Sequence, residues 1–384
     1  MGQPESQPRL RVAVDATPLL GVRTGVGTFT QCALEALAGR PELDVSAFAV
    51  SWRRRGRMDP HLPGGVRAVT RPMPARPLHR AWSVGGLPPL EWFTGPADVV
   101  HGTNYVVPPT RSAARVMTVH DLTSVRWPEL CDDYTRTFPR LVRRALSEGA
   151  WVHTPSQFVA AEVVELLGAE PGRVRAVHHG IPPLPAPTDP ADEAPLLPRK
   201  VERYVLALGT IEPRKDLPTL VRAFDRLAAD VADLWLVVAG PDGWGVAAYE
   251  ESVAAATHRS RILRVGYVGA AQRSVLLGQA AVYAFPSLYE GFGLPPLEAM
   301  AVGVPVVCTD AGALPEVVGD AAALVPVGDP DALAGAIARL VTDSEARRSA
   351  IERGRARTAA FSWEAAAAGL SRLYADARSD AAGR

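Results

Sequence analysis

Residues 290–298 read E-G-F-G-L-P-P-L-E, two carboxylates bracketing a pair of glycines. Gly291 and Gly293 carry no Cβ, so the backbone around Gly291, Phe292, Gly293 and Leu294 can turn its N–H groups toward a ligand. An apolar helix is expected from Pro296, and proline suits a first helical position. The start of such a helix adds unpaired N–H groups and a positive dipole end, which together hold an anion such as a diphosphate. Glu298 then falls in the first turn, in reach of a ribose diol, and Glu290 could grip sugar hydroxyls. A strand, loop and helix with a capping acid is the plainer alternative for either acid alone.

A second constellation is G-T-I-E-P-R-K at 209–215. Gly209 follows an apolar strand, and Arg214 and Lys215 come just after it. A forked donor beside a point charge suits a diphosphate leaving group, whose charge grows as a glycosidic bond breaks. Lys occurs only at 200 and 215 in a chain that otherwise uses Arg, which singles out Lys215. Near the start, Gly25-Val26-Gly27 sits between strand and helix and could close over the same phosphates. The third glycine of a dinucleotide fingerprint is not convincing there. His120 ends the apolar run V-M-T-V-H-D, where it could touch the transferred sugar or merely cap a strand. His101 is similar, with a structural role favoured, and His178-His179-Gly180 reads as turn chemistry. The D-x-D at Asp329 and Asp331 precedes a helix and reads as an N-cap, so no metal site is expected.

The elements that must position these residues alternate. Strands are expected at 10–15, 45–50, 97–101, 116–120, 151–154 and 174–177. Helices are expected at 28–37, 134–148 and 156–167. Residues 181–198 contain seven prolines and no periodicity, which marks a linker. Alternation then resumes, with strands at 204–208, 234–239, 262–265, 282–285 and 304–308. The helices of this part are expected at 217–228, 247–258, 272–279, 296–301, 330–342, 344–357 and 363–377. The pattern predicts an α/β chain of two doubly wound Rossmann-like domains, 1–181 and 201–363, joined by a Pro-rich linker at 182–200. In such sheets ligands bind at the C-terminal strand ends, so two facing sheets would make a cleft.

Bulk composition agrees with a two-domain globular enzyme. The chain has 384 residues, 47% apolar and 21% charged. Net charge is zero, with 41 basic and 41 acidic side chains, which removes a global case for nucleic acid. Residues 1–180 nevertheless hold 21 basic against 16 acidic groups, and seven of the eight histidines. Cys32, Cys131 and Cys308 lie far apart without metal-ligand spacing, pointing to a reduced, cytoplasmic protein. The polar start argues against export, and no run is long and apolar enough to span a bilayer. Arg53-Arg54-Arg55 and Arg57 follow Trp52, which fits a solvated loop or a peripheral contact with the anionic inner membrane face.

These motifs together resemble the retaining glycosyltransferases of family four, with the GT-B fold, over essentially the whole chain. The resemblance rests on G-V-G at 25–27, T-V-H-D at 118–121, T-P-S-Q at 154–157, V-H-H-G-I at 177–181, G-T-I-E-P-R-K at 209–215 and A-G-P at 239–241. Above all it rests on P-S-L-Y-E-G-F-G-L-P-P-L-E-A-M-A-V-G-V-P-V-V at 286–307. It implies an acceptor-binding N-terminal domain, a nucleotide-sugar-binding C-terminal domain, and a last helix, 364–384, crossing back to the first. It implies further that Glu290 contacts sugar hydroxyls, with the 291–294 backbone around sugar and phosphates. Glu298 would contact the ribose, Arg214 and Lys215 would clamp the diphosphate, Gly27 would close the N-terminal loop, and His120 would lie near the anomeric centre. Transfer would retain configuration by front-side attack without a covalent nucleophile, metal or cofactor. The donor would be a nucleotide diphosphate sugar and the acceptor a glycan, polysaccharide or lipid-linked glycan. Within the family the chain is most like mannosyltransferases using GDP-mannose, with a glucosyl or rhamnosyl donor carried by UDP or dTDP as the near alternative. A single G-V-G, where family members often carry consecutive glycines, is a departure. A glycoside hydrolase would need its carboxylates across a scissile bond, and an NAD enzyme a fuller fingerprint near Gly25.

Overall fold

The computed structural model describes residues 9–21, 25–131, 133, 135–185 and 196–383. The chain divides into two units, residues 1–180 with 361–384, and residues 181–360. Each is built on a parallel sheet. In the first unit the strands are β1 (Leu10–Asp15), β2 (Leu43–Phe48), β3 (Arg67–Val69), β4 (Val99–Gly102), β5 (Ala114–Thr118), β6 (Trp151–Thr154) and β7 (Val174–Ala176), in the order β3-β2-β1-β4-β5-β6-β7. In the second they are β8 (Arg203–Leu208), β9 (Leu234–Ala239), β10 (Ile262–Gly266), β11 (Val282–Phe285), β12 (Val306–Thr309) and β13 (Ala323–Val325), in the order β10-β9-β8-β11-β12-β13. Central strands covered on both faces must be apolar throughout rather than alternating. Val12, Val14, Val99, Val100 and Val116 are accordingly buried in one sheet, and Val205, Leu206, Val282 and Val307 in the other.

β3 and β13, three residues each, escape the sequence reading. The helix Ala75–Val84 is hidden by prolines at 74 and 77, of which Pro74 caps its start. Helix starts differ as well. The helix expected at 28–37 spans Gly25–Ala38, so Gly25 and Gly27 lie in its first turn instead of a free loop. Glycine costs little there, because first-turn N–H groups have no intrahelical partner to lose. The helix expected from 134 spans Phe138–Ser147 behind a short 3-10 turn, Thr135–Thr137, and Tyr134 itself lies outside the described residues. Most of the Pro-rich linker, 186–195, lies outside them as well.

The last helix, Trp363–Ala382, belongs to the first unit. Ala367, Leu370, Leu373, Tyr374 and Ala377 pack into one cluster with Val12, Val14, Phe29, Leu34, Val99, Val116 and Trp151. A Cβ on Gly180 would come within 2.5 Å of the Trp363 backbone nitrogen, and one on Gly369 within 2.6 Å of Val177. A buried polar chain adds to this apolar seat. Tyr374 Oη lies 2.7 Å from His101 Nδ1, and His101 Nε2 lies 2.8 Å from Thr118 Oγ1. Thr118 Oγ1 lies 2.9 Å from His153 Nδ1, and His153 Nε2 lies 3.0 Å from Val177 O. A carbonyl can only accept, so His153 Nε2–H donates to Val177. With both imidazoles neutral, the direction of every other bond follows: Thr118 donates to His153, His101 Nε2–H donates to Thr118, and Tyr374 donates to His101 Nδ1. Burial holds His101 well below its ordinary pKa and His153 down at about 4, which keeps both rings neutral. His101 is thus structural. His179 does more than form a turn, since its buried ring stacks on Phe29, with centroids 4.4 Å apart, and on Trp363.

Candidate active site

β8 delivers the cations. It ends at Leu208, and Gly209 follows with a φ of +143° that suits only glycine. The chain then turns through Glu212 into the 3-10 turn Pro213–Lys215. This turn is braced from behind. Ile211 N donates to Pro241 O and Gly245 N to Ile211 O, both at 3.0 Å, and a Cβ on Gly240 would lie 1.9 Å from Gly209 O. Asp216, in the left-handed region at φ +43°, then caps the helix Leu217–Asp230 through Thr219 N. Arg214 and Lys215 are therefore fixed by backbone packing on both sides.

β11 delivers the carboxylate. Leu288 N donates to Arg214 O at 2.8 Å, and Arg214 Nη1 donates to Tyr289 O at 2.9 Å, so the two loops are stitched together. Glu290 accepts from Lys215 Nζ at 2.6 Å on Oε1 and pairs with Arg214 Nη1 at 2.8 Å on Oε2. Arg214 Nη2 reaches Glu212 Oε1 at 2.7 Å, and the Lys215 ammonium lies 4.5 Å from the Phe285 ring centre. Burial alone would raise the Glu290 pKa. Arg214 and Lys215 outweigh it and hold the carboxyl at about 2. Burial lowers the Lys215 pKa, with Glu290 opposing. Gly312, at φ +58°, presses on the same residue from the far side. A Cβ there would stand 2.3 Å from Glu290 O, which also accepts from Ala313 N at 2.8 Å.

The next helix spans Leu294–Ala301, with Gly293 as its N-cap at φ +116°. It thus begins two residues before the expected Pro296, and Pro295 and Pro296 take the second and third positions. Neither has an N–H, so this helix start offers fewer donors to an anion than an ordinary one. Glu298 is its fifth residue, two positions further in than expected. The Glu298 side chain is buried, and Arg273, from the helix Ala270–Gln279, grips both its oxygens, Nη1 reaching Oε1 at 3.1 Å and Nη2 closing on Oε2. Tyr283, buried in β11, feels both acids: burial raises its pKa first, Arg273 opposes, and Glu298 and Glu290 add to the rise.

Gly209, Arg214, Lys215, Glu290, Gly291, Phe292, Gly293, Leu294 and Glu298 all lie at or just beyond the C-terminal ends of β8 and β11. Gly25, Gly27 and His120 lie in the first unit. His120 follows β5, and its Nε2 donates to Thr103 O at 2.8 Å. The Phe29 ring, on the helix that starts at Gly25, meets the imidazole edge to face with centroids 5.2 Å apart. Burial lowers the His120 pKa, so the ring is neutral with the proton on Nε2. Sequence reasoning missed Arg273 and Gly312. An arginine among many gives no signal, and a glycine's need for φ > 0 is a tertiary fact. Asp329 accepts from Asp331 N and Ala332 N at 3.0 Å, as an N-cap does.

Each unit is a doubly wound parallel sheet, and in the second the paired cations Arg214 and Lys215 are seated on Glu290 at a strand edge. Residues 23–183 match the model of Glycosyltransferase Family 4, and residues 189–357 that of Glycosyl transferases group 1. The O-antigen chain mannosyltransferase B of Escherichia coli is 33% identical over 271 residues, 69% of this chain and 71% of that protein. The D-inositol 3-phosphate glycosyltransferase of Streptosporangium roseum is 33% identical over 284 residues, 68% of this chain and 64% of that protein. Among solved structures, sucrose-phosphate synthase of Thermosynechococcus elongatus superposes with a TM-score of 0.73 at 22% identity, covering 96% of this chain and 98% of that one. HepE of Anabaena, in complex with UDP and glucose, superposes with a TM-score of 0.69 at 16% identity, covering 95% and 99%. The chain belongs to the family-four glycosyltransferases. No helix among the described residues is long and apolar enough to cross a membrane.

Proposed function

We propose that the chain transfers a hexose, with retention of configuration, from a nucleotide diphosphate sugar to a glycan, polysaccharide or lipid-linked glycan. The observation that carries this reading is the convergence of Arg214 and Lys215 on Glu290 at the end of β8. As the bond from the anomeric carbon to the phosphate oxygen breaks, negative charge grows on the leaving diphosphate. A desolvated guanidinium and ammonium fixed in advance stabilise that charge without reorganising. The attacking hydroxyl gives its proton to the departing phosphate oxygen, so no side-chain nucleophile is needed. Two fixed cations also supply the charge that a divalent ion would otherwise bring, so EDTA should leave turnover unchanged. Glu290 holds sugar hydroxyls in this reading, and Glu298 the ribose.

Mannose from GDP-mannose is the preferred donor, supported by the likeness to the O-antigen mannosyltransferase. A UDP- or dTDP-linked glucosyl or rhamnosyl donor is the alternative, favoured by the structural likeness to HepE, whose structure holds UDP and glucose. Thermal-shift titration with GDP, UDP, dTDP and NAD separates these. A nucleotide at 100 times its Kd stabilises the fold by about 2.7 kcal/mol. Stabilisation by NAD alone would sink the transferase reading, and stabilisation by UDP without GDP would sink mannose.

A peripheral membrane contact is supported by one surface of the first unit. Trp52 is 57% exposed and Trp92 59%, beside exposed Arg53, Arg54, Arg57 and Arg71. Arg71 Nη1 binds Trp92 O, and Met73 N binds Ser51 O, which places the two segments side by side. Each basic group contributes about 1 kcal/mol near anionic lipid. Sedimentation with phosphatidylglycerol vesicles, and not with phosphatidylcholine alone, is the expected outcome.

A further inference from the structure

Asp15 is the last residue of β1, at the strand edge where doubly wound sheets take their ligands. Its two oxygens are treated differently. Oδ1 accepts from Thr17 N at 2.8 Å and Thr17 Oγ1 at 2.5 Å, and Thr17 Oγ1 in turn accepts from Val50 N at 2.9 Å. Oδ2 takes no hydrogen bond from any described residue. Burial raises the carboxyl pKa to about 6, and no charged side chain among the described residues pulls it back. A desolvated carboxyl without a counter-charge is costly, and such groups cluster at functional sites.

Its surroundings are rigid. Thr103 Oγ1 donates to Asp15 O at 2.7 Å, while Thr103 O accepts from His120 Nε2 at 2.8 Å. One residue thus ties Asp15 to His120. The segment after β4 that carries Thr103 is tightly folded. A Cβ on Gly102 would lie 1.8 Å from Val106 O, and Tyr105 sits at φ +57°, a strained conformation for an aromatic residue. Asp15 Oδ2 and His120 Nδ1 are thus two hydrogen-bond acceptors on segments that Thr103 joins. His120 is neutral, its only proton is committed to Thr103, and its Nδ1 takes no bond from a described residue. It is also the titratable group joined to Asp15 through these bonds.

We propose that Asp15 binds the acceptor, its Oδ2 accepting a hydrogen bond from a sugar hydroxyl, and that the acceptor end met here is an uncharged polyol. Two acceptors with no described cation between them suit hydroxyl donors and repel a phosphate. The proposal rests on the transferase reading above. It adds a residue that the motifs do not mark and a class of acceptor that the fold leaves open.

The test uses the full chain with its nucleotide-sugar donor, and p-nitrophenyl α-hexopyranosides and the corresponding hexose 6-phosphates as acceptor probes. Asp15→Asn keeps an oxygen for Thr17 and so keeps the turn; an unchanged melting temperature checks this. Expected is transfer to the neutral probes, with the acceptor KM of D15N raised about tenfold to a hundredfold, the range for a hydrogen bond to a charged group. Donor hydrolysis without acceptor and nucleoside diphosphate affinity should stay within twofold. The wild-type acceptor KM should rise as pH falls through 6, where Asp15 takes up a proton, and D15N should lack that rise. An unchanged acceptor KM in D15N, or a preference for the phosphorylated probes, overturns the proposal. So does donor hydrolysis with no transfer to any neutral probe. A wild-type chain that neither hydrolyses nor transfers any nucleotide sugar overturns the transferase reading itself.

Discussion

Lys215 Nζ stands 2.6 Å from Glu290 Oε1 while Arg214 holds the other oxygen of the same carboxylate at 2.8 Å. Glu290 is therefore the internal counter-ion of two cations that belong to a different strand's loop. An arriving diphosphate would take over part of that role and leave the carboxylate free to meet sugar hydroxyls. In the proposed reaction the pair would thus hold the place of the ligand as well as making a structural contact.

Replacing Glu290 with Gln should damage both functions. Two largely buried cations lose their partner, which costs about 3 kcal/mol or more of stability, and turnover should fall by about 10²–10³. The sign with pH follows from the depressed carboxyl at about 2. Its stabilising contribution is complete above the ordinary carboxylate range and is lost as pH falls toward 2. Melting curves between pH 7 and 3 should show a smaller acid loss in E290Q than in wild type. Parallel curves would argue against the pairing.

Substituting Lys215 or Arg214 by Ala should weaken nucleoside diphosphate binding about tenfold to a hundredfold, the range for charged hydrogen bonds. Affinity for the nucleoside without phosphates should stay nearly constant. Calorimetric titration of each variant with both ligands makes the comparison. Equal losses for both would mean that the cations support the fold and not the phosphates.

The Arg273–Glu298 pair invites a double-mutant cycle. Arg273→Leu leaves a buried carboxylate unpaired and should cost about 3 kcal/mol. Adding Glu298→Gln should recover much of that stability, since the orphaned charge is gone. Nucleotide affinity should not recover in the double variant, because Glu298→Gln removes the carboxylate assigned to the ribose. A double variant that regains affinity as well would remove Glu298 from the binding site.

Acid should loosen the first unit. The unfolded chain binds protons at its histidines near pH 6.5, whereas folded His153 resists until about 4 and His101 lies well below its ordinary value. Stability is thus full above pH 6.5 and declines as pH falls toward 4. Thr118→Val removes the hydroxyl at the middle of the chain from Tyr374 to Val177. With two buried imidazole nitrogens left unsatisfied, about 2 kcal/mol or more should be lost even at pH 8. Calorimetric melting at pH 8 and 5 measures both effects. A variant as stable as wild type at pH 8 would show that the hydroxyl is replaceable by water.

The cations and acids of the second unit are legible in the sequence because each sits a few residues beyond an apolar run, and parallel sheets gather such positions at one edge. Gly209, Arg214, Lys215 and Glu290 are placed by that rule alone. What pairs with what is not legible. Arg273 and Glu298 lie on different helices 25 residues apart, and Gly312 meets Glu290 only through the fold. The helix start at Leu294 was missed because proline is tolerated throughout a first turn, so Pro295-Pro296 marks its neighbourhood and not its first residue. Asp15 reads from the sequence only as the polar end of a strand. Its carboxylate is held on one oxygen by Thr17, and its backbone carbonyl accepts from Thr103, 88 positions away.

The seat of the last helix bears on how the chain comes into being. Tyr374, Leu370 and Leu373 complete a core whose other members, from Val12 to Trp151, leave the ribosome first. At about 5–20 residues per second, on the order of ten to forty seconds pass between emergence of Gly180 and of Tyr374. Throughout that interval the nascent first unit carries an uncovered apolar face and an unfinished polar chain, whereas the second unit receives all of its strands in one continuous stretch. The first unit is begun before the second and completed after it, so its exposed face is the one that a holding chaperone would have to cover until Trp363–Ala382 has emerged.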